Sequence, residues 1–125
     1  MLNQTISFPK TNYRRIFYNQ AIPLLAHFAN KQTLVLLFML YNADSNNYVF
    51  CTYNDIMEAC GIKDRSTVSA VLKDLIDAEA ITKTHVSQYL INPAISVQGN
   101  NEKLGIIAGE FNSFVTKNKL KEGTN

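Results

Sequence analysis

The chain has 125 residues, enough for one domain with its own core, and its hydrophobic content of 46% is ordinary for a globular protein. Its formal charge of only +2 is compatible with nucleic-acid binding but does not argue for it. Any nucleic-acid surface must therefore concentrate its basic residues on one face. The longest apolar run, Leu34 to Tyr41, is far shorter than the roughly 20 residues of a membrane-spanning helix.

From the sequence we expect neither an export signal nor a metal site. Its first residues, MLNQTISFPK, lack the basic start and apolar run of a signal peptide. Cys51 and Cys60 form no CxxC motif and have no nearby histidine pair, so we expect reduced, buried thiols. A disulfide between them is the alternative. We therefore expect a cytoplasmic protein without a metal or cofactor.

The chain begins with a polar stretch followed by an aromatic one. Residues 1–12 are expected to form a flexible arm. Residues 13–18 are rich in aromatic side chains and are expected to form a short strand. Arg14 and Arg15 make this strand basic, either to protect a solvated edge from pairing or to lie on DNA phosphates.

Two helices are predicted next. Residues 19–30 carry an apolar stripe at helical spacing. Residues 31–43 are apolar almost all round, which is typical of a helix buried in a core or at an oligomer interface. A polar turn and a short strand at 48–51 follow.

Two helical patterns then meet at Gly61, a residue that favours the left-handed conformation in which helices end. Thr52 and Asp55 have the spacing of a capping box at the start of the first pattern. Asp64 is placed to cap the second. The apolar residues of the second pattern recur at helical spacing and are Val68, Val71, Leu72, Leu75 and Ile76. This arrangement predicts a helix-turn-helix whose second helix is the candidate DNA reader.

The opposite face of that second helix is polar and basic. The first turn of a recognition helix meets base edges and phosphates. An arginine there can bind guanine through two hydrogen bonds, and serines can contact bases or phosphates. With the preceding cap and the hairpin that follows, the candidate DNA-binding residues are Thr52, Arg65, Ser66, Thr67, Ser69, Lys73, Lys83 and His85.

Residues 81–85 and 88–91 fit the two strands of a hairpin, which would place Lys83 and His85 near the DNA backbone or minor groove. A helix-turn-helix followed by a hairpin is a winged helix, so the expected fold class is mainly α with a small β-hairpin wing. A last helix, capped by Asn100, either docks on the body or dimerises. We expect the domain to span 13–116 and a flexible tail to span 117–125.

The stretch GIKDRSTVSAVLKDL, followed by AITKTHVSQYLINPAISVQGNNEK, resembles the winged-helix plasmid replication proteins of RepL type found in Firmicutes. The resemblance covers roughly residues 13–105 and rests on three features. These are an apolar helix ahead of a strand and helix-turn-helix, the RSTVS start of the recognition helix, and a wing that closes on Tyr-Leu-Ile-Asn-Pro shortly before Gly99. It implies binding to DNA at a plasmid origin during replication initiation. The chain departs from the family pattern at Ala70, where such sequences often carry a basic residue.

The sequence offers little for catalysis. It contains no GxxxxGK motif followed by Ser or Thr, and no His-x-His pair of the kind that nicking initiators use. We therefore expect no enzyme.

Three hypotheses remain. The first is a protein that binds double-stranded DNA in plasmid replication initiation or copy control. The second is a dimeric transcriptional repressor of the same fold. The third, motivated by the low charge and by Ala70, is a winged-helix protein-interaction module without DNA binding. We expect double-stranded DNA and a second copy of the chain as partners, with host replication proteins as further candidates.

Overall fold

The computed structural model describes residues 15–17, 20 and 31–123. In chain order the elements are β1 (Arg15–Ile16), α1 (Lys31–Asn42), β2 (Tyr48–Phe50), α2 (Tyr53–Cys60), α3 (Arg65–Asp77), β3 (Ile81–His85), β4 (Gln88–Ile91), β5 (Ser96–Val97) and α4 (Asn101–Gly123). This is the predicted fold class, mainly α with a small hairpin wing. The arm predicted at 1–12 lies outside the described residues, as does the helix predicted at 19–30 apart from Gln20.

The boundaries of the helix-turn-helix are set by three local devices. The Thr52 side chain accepts a hydrogen bond from the Asp55 amide at 3.1 Å, and the Asp55 carboxylate accepts one from the Thr52 amide at 2.8 Å. Gly61 ends α2 with φ 67° and ψ 30°, and Asp64 accepts a bond from the Thr67 amide at 2.8 Å to start α3. The predicted caps and turn are confirmed, because each device satisfies backbone groups that a helix end leaves without partners.

Strands β2, β4 and β3 form an antiparallel sheet in that spatial order, while β1 pairs with β5 in a separate two-stranded sheet. Tyr48, Leu90 and Thr82 lie side by side across the sheet. Strands β3 and β4 form the predicted wing. Of the strand predicted at 13–18, residues 15 and 16 form β1, and residues 13, 14 and 18 lie outside the described residues.

The sheet separates two hydrophobic clusters, because neighbouring residues of a strand point to opposite faces. Tyr89 and Ile91 of β4 belong to the larger cluster, which α1, α2 and α3 complete. Leu90, between them in sequence, points the other way and packs with Ile107 and Phe111 of α4. The helix-turn-helix and α4 therefore cover opposite faces of the same sheet.

Asn47, fully buried in the loop before β2, joins three strands. Its side-chain amide donates to the backbone oxygens of Ile91 at 3.0 Å and Ser96 at 2.9 Å. Its φ of 70° lies in the left-handed region, which asparagine tolerates better than most residues. One side chain thus fixes β2, β4 and β5 relative to one another.

Helix α4 crosses the strands at an angle. At its middle, Glu110 accepts a hydrogen bond of 2.7 Å from the Tyr48 hydroxyl on β2. Further along, the Asn118 amide donates to the Thr82 hydroxyl at 3.1 Å and to the Lys83 carbonyl oxygen at 3.0 Å on β3. The helix continues through 117–123, where the sequence predicts a flexible tail, because Asn118 ties these turns to the wing. None of the helices in the described parts of the chain is long and apolar enough to span a membrane.

Candidate nucleic-acid interface

Arg65 opens α3 and is held in place by α2. Its guanidinium lies over the Tyr53 ring, 5.0 Å from the ring centre, and Nη1 donates to the Asn54 side-chain oxygen at 3.1 Å. The side chain is exposed, and among the described residues no carboxylate forms an ion pair with it. A positive, planar group is thus oriented in advance at the exposed start of the helix, which lowers the conformational entropy lost on binding.

The two residues after Arg65 are engaged by the Asp64 cap. Asp64 Oδ1 accepts bonds from the Ser66 hydroxyl at 2.8 Å and the Thr67 hydroxyl at 2.6 Å, in addition to the Thr67 amide. The Thr67 hydroxyl, the Ser66 hydroxyl and the Thr67 amide lower the pKa of Asp64 to about 2. Both hydroxyl protons are used in this cap, so toward a ligand these side chains present oxygen lone pairs.

Lys73, two turns further along α3, is paired with an acid. Its ammonium lies 2.8 Å from the Asp77 carboxylate, and this hydrogen bond raises the pKa of Lys73. An exposed ion pair of this kind adds little stability. It does offset the positive charge of Lys73, which the sequence predicts to contact DNA. The C-terminal half of α3 is therefore less positive than its start. Ser69 lies exposed between the two regions.

A groove beside α3 contains basic and polar residues that sequence reasoning missed. Lys31 and Gln32, at the start of α1, line it together with Ser66, Thr67, Ala70 and Val71 of α3. The Lys31 charge also contributes to the low pKa of Asp64. In the sequence, Lys31 is recognisable only as a lysine at the start of an apolar helix. That position does not indicate which element the start of the helix packs against. Ala70 leaves this groove without a basic side chain from α3.

The wing turn lies next to the start of α2. The Cys51 amide donates to the Ser87 carbonyl oxygen at 2.9 Å, which places the turn beside Thr52. Thr52 in turn precedes the residues that hold Arg65. The turn, Thr52 and the start of α3 are thus linked by direct contacts.

Lys83 and His85, both exposed, lie on the edge strand β3, with Lys83 opposite Tyr89 and His85 opposite Gln88. They line a groove with Asn118, Lys121 and other residues of α4 and α3. The structure therefore divides the predicted residues into a group at the start of α3 and a group beside α4. Helix α4 was not part of the predicted interface.

The cysteines are free, with Cys51 buried and Cys60 half-buried. Burial raises the pKa of both thiols, that of Cys51 to about 11. They stay protonated at neutral pH and are therefore poor nucleophiles. Within the described ranges, no cluster of three or more His, Cys, Asp or Glu side chains is arranged to hold a metal ion.

The model of the family described as Firmicute plasmid replication protein (RepL) matches residues 3–125, nearly the whole chain. Neither the comparison with curated proteins nor the comparison with solved structures found a match. The match thus extends beyond the 13–105 span of the resemblance seen in the sequence, and the chain belongs to the RepL family of Firmicute plasmid replication proteins.

Proposed function

We propose that this plasmid replication protein binds double-stranded DNA at its origin through the start of α3 and the wing, in replication initiation or copy control. The observation that carries the proposal is Arg65. It is exposed and oriented by Tyr53 and Asn54, and no ion pair among the described residues neutralises it. A charge so placed at the first turn of a recognition helix suits contact with guanine in the major groove.

The neighbouring groups supply complementary contacts. The Thr52 hydroxyl accepts a bond from the Asp55 amide, and its own proton can still be donated to a phosphate oxygen. Ser66 and Thr67 present acceptor oxygens that suit the amino groups of adenine or cytosine. Lys83 and His85 would follow the phosphates beside the wing.

Arg65 substitutions test the proposal. With a duplex from the native replicon, Arg65→Ala should weaken binding by about 1–3 kcal/mol, measured by fluorescence anisotropy. Arg65→Lys should keep affinity for unrelated duplexes but lose discrimination, because an ammonium cannot reproduce the two-bond contact. Lys119→Ala is the matched control, since Lys119 lies against Glu79 at the far end of α4.

Two outcomes would refute duplex recognition by α3. One is that folded wild-type protein binds no duplex at low salt. The other is that Arg65→Ala binds the replicon duplex as tightly as the wild type does.

The Lys73–Asp77 pair gives a test with the opposite sign. Asp77→Asn removes the neutralising charge, so duplex affinity should rise. The slope of log K against log salt should steepen by about 0.9 if Lys73 then reaches one phosphate. An unchanged slope would place Lys73 off the DNA.

We further propose that the protein acts as a homodimer through α1. Leu34, Leu37 and Tyr41 lie on one face of this helix, with 50%, 48% and 89% of their surfaces exposed. An exposed apolar stripe of this kind is typical of an interaction site. A two-fold dimer would present two copies of α3 to paired half-sites.

A further inference from the structure

Helix α4 leaves part of the outer sheet face uncovered. Its contacts run along the row formed by Tyr48 and Thr82. The next row toward the wing turn, Phe50 and Gln88, lies beyond them. Phe50 points to the same face as Tyr48, two residues earlier on the strand. The result is an open step whose floor is the sheet and whose wall is α4.

An aromatic ring lies exposed on that floor. Phe50 has 67% of its surface exposed and stacks against Tyr48, with ring centres 6.5 Å apart and planes 27° from parallel. The Tyr48 ring is held in turn by its bond to Glu110. Phe50 is thus fixed on one side and open to solvent on the other.

The wall of the step carries two lysines. One flank of α4 carries Phe114, Lys117 and Lys121, which recur at spacings of three and four residues. Glu110 lies on the same flank, four residues before Phe114. The Lys117 ammonium lies 5.4 Å from the centre of the Phe114 ring. Lys121 lines the groove that also contains Lys83 and His85, together with the acidic Glu122.

We propose that this step binds single-stranded DNA, with a base stacked on Phe50 and the backbone running along Lys117 and Lys121. We call it the outer ledge and define it by Phe50, Phe114, Lys117 and Lys121. An exposed ring bordered by lysines is the arrangement that binds unpaired strands, because every base has a face that stacks and every nucleotide carries a phosphate. In a duplex the base faces are hidden, so the ledge distinguishes separated strands from paired ones. This proposal rests on the chain's membership of a plasmid replication family, but it does not require that α3 bind duplex DNA.

The chain contains no tryptophan, which permits a specific reporter. Phe50→Trp should bind an oligothymidine of about 15 nucleotides at low salt with saturable quenching of its fluorescence, since stacked bases quench indole. A duplex of equal length should cause little quenching.

Affinity measurements locate the contact. Phe50→Ala should weaken oligothymidine binding by about 5-fold to 150-fold, the loss expected from one stacked base. Ile106→Ala is the matched control, because Ile106 is an exposed apolar residue of α4 outside the ledge. Lys117→Gln should lower the salt slope by about 0.7, the value for one phosphate of a single strand.

The two DNA proposals can fail separately. Arg65→Ala should bind oligothymidine like the wild type, so loss of duplex binding alone leaves the ledge intact. Absence of quenching in folded Phe50→Trp, or equal oligothymidine affinity in Phe50→Ala and wild type, would overturn the inference. A dimer that Phe50→Ala converts to a monomer, with oligothymidine binding unchanged, would also overturn it by making the ledge a contact between copies.

Discussion

Asp64 organises the start of the recognition helix through one carboxylate oxygen. That oxygen accepts bonds from the Ser66 hydroxyl, the Thr67 hydroxyl and the Thr67 amide, all of which favour the charged form. The pKa of Asp64 consequently falls from its ordinary value of 3.8 to about 2. A lowered folded-state pKa stabilises the protein above pH 3.8, and this contribution disappears as the pH falls through about 2.

Asp64→Ala should therefore lower the free energy of unfolding at neutral pH and reduce the loss of stability between about pH 4 and pH 2. Asp64→Asn is the informative control. Asparagine caps helices as well as aspartate does but cannot titrate, so it should retain most of the neutral stability and flatten the same pH window. Urea unfolding at several pH values provides the measurement. An acid-side slope that is unchanged in both variants would contradict this role.

At the scale of the elements, the angle between α2 and α3 depends on the turn at Gly61. Gly61 has φ 67°, and its amide donates to the Met57 carbonyl oxygen as α2 ends. A side chain at this position would meet no atom within 4 Å, so only backbone conformation opposes one. Gly105, inside α4, has equally open space but lacks a positive φ.

The two glycines should respond oppositely to alanine. Gly61→Ala should destabilise the fold by about 1–2 kcal/mol, because the left-handed conformation is unfavourable for a residue with a Cβ. Gly105→Ala should stabilise it by about 0.5–1 kcal/mol, because alanine loses less backbone entropy in a helix. Chemical denaturation measures both effects. Shifts of the same sign would show that the α2–α3 turn does not impose the conformation on Gly61.

Elements with local signals could be predicted from the sequence. The box of Thr52 and Asp55, the glycine at 61 and the alternation in the wing each act within a few residues. The last turns of α4 could not be predicted, since they are polar and depend on Asn118 reaching β3 across the fold. The role of Asn47 could not be predicted for the same reason, because its partners, Ile91 and Ser96, lie in β4 and β5.

The candidate site was predictable only in its residue types. Arg65 and its neighbours were identified from the position of the helix start. The contacts of Tyr53 and Asn54 with Arg65 depend on the angle between α2 and α3, which could not be predicted from local sequence. The position of Lys31 beside α3 likewise depends on how α1 packs. The Lys73–Asp77 pair is different, because a lysine and an aspartate four residues apart on a helix signal it in the sequence.

On the scale of the whole molecule, the sheet carries two surfaces on its opposite sides, and each surface has its own basic residues. The start of α3 faces one side, and the outer ledge with its lysines lies on the other side of the sheet. The wing turn lies between them. A protein with a net charge of only +2 can thus present basic residues locally on two surfaces, for which we propose duplex and single-stranded DNA as ligands.

The oligomeric state tests the proposed use of α1. Light scattering at micromolar concentration should give twice the chain mass of 14.1 kDa, and the double variant Leu34→Glu, Leu37→Glu should give a monomer. Charged side chains on that stripe would be desolvated in the dimer without partners, which strongly disfavours association. A wild-type monomer would exclude the α1 dimer under these conditions.

Hydroxyl-radical footprinting of duplex DNA from the native replicon is the most direct test of origin recognition through α3. Wild-type protein should protect a discrete site within the origin, and Arg65→Ala should lose that protection at the same concentration. Paired half-sites about 10 base pairs apart, centre to centre, would fit a dimer, and protection confined to a promoter would fit a repressor instead. Absence of a discrete protected site at low salt, or identical footprints from wild type and Arg65→Ala, would contradict the account.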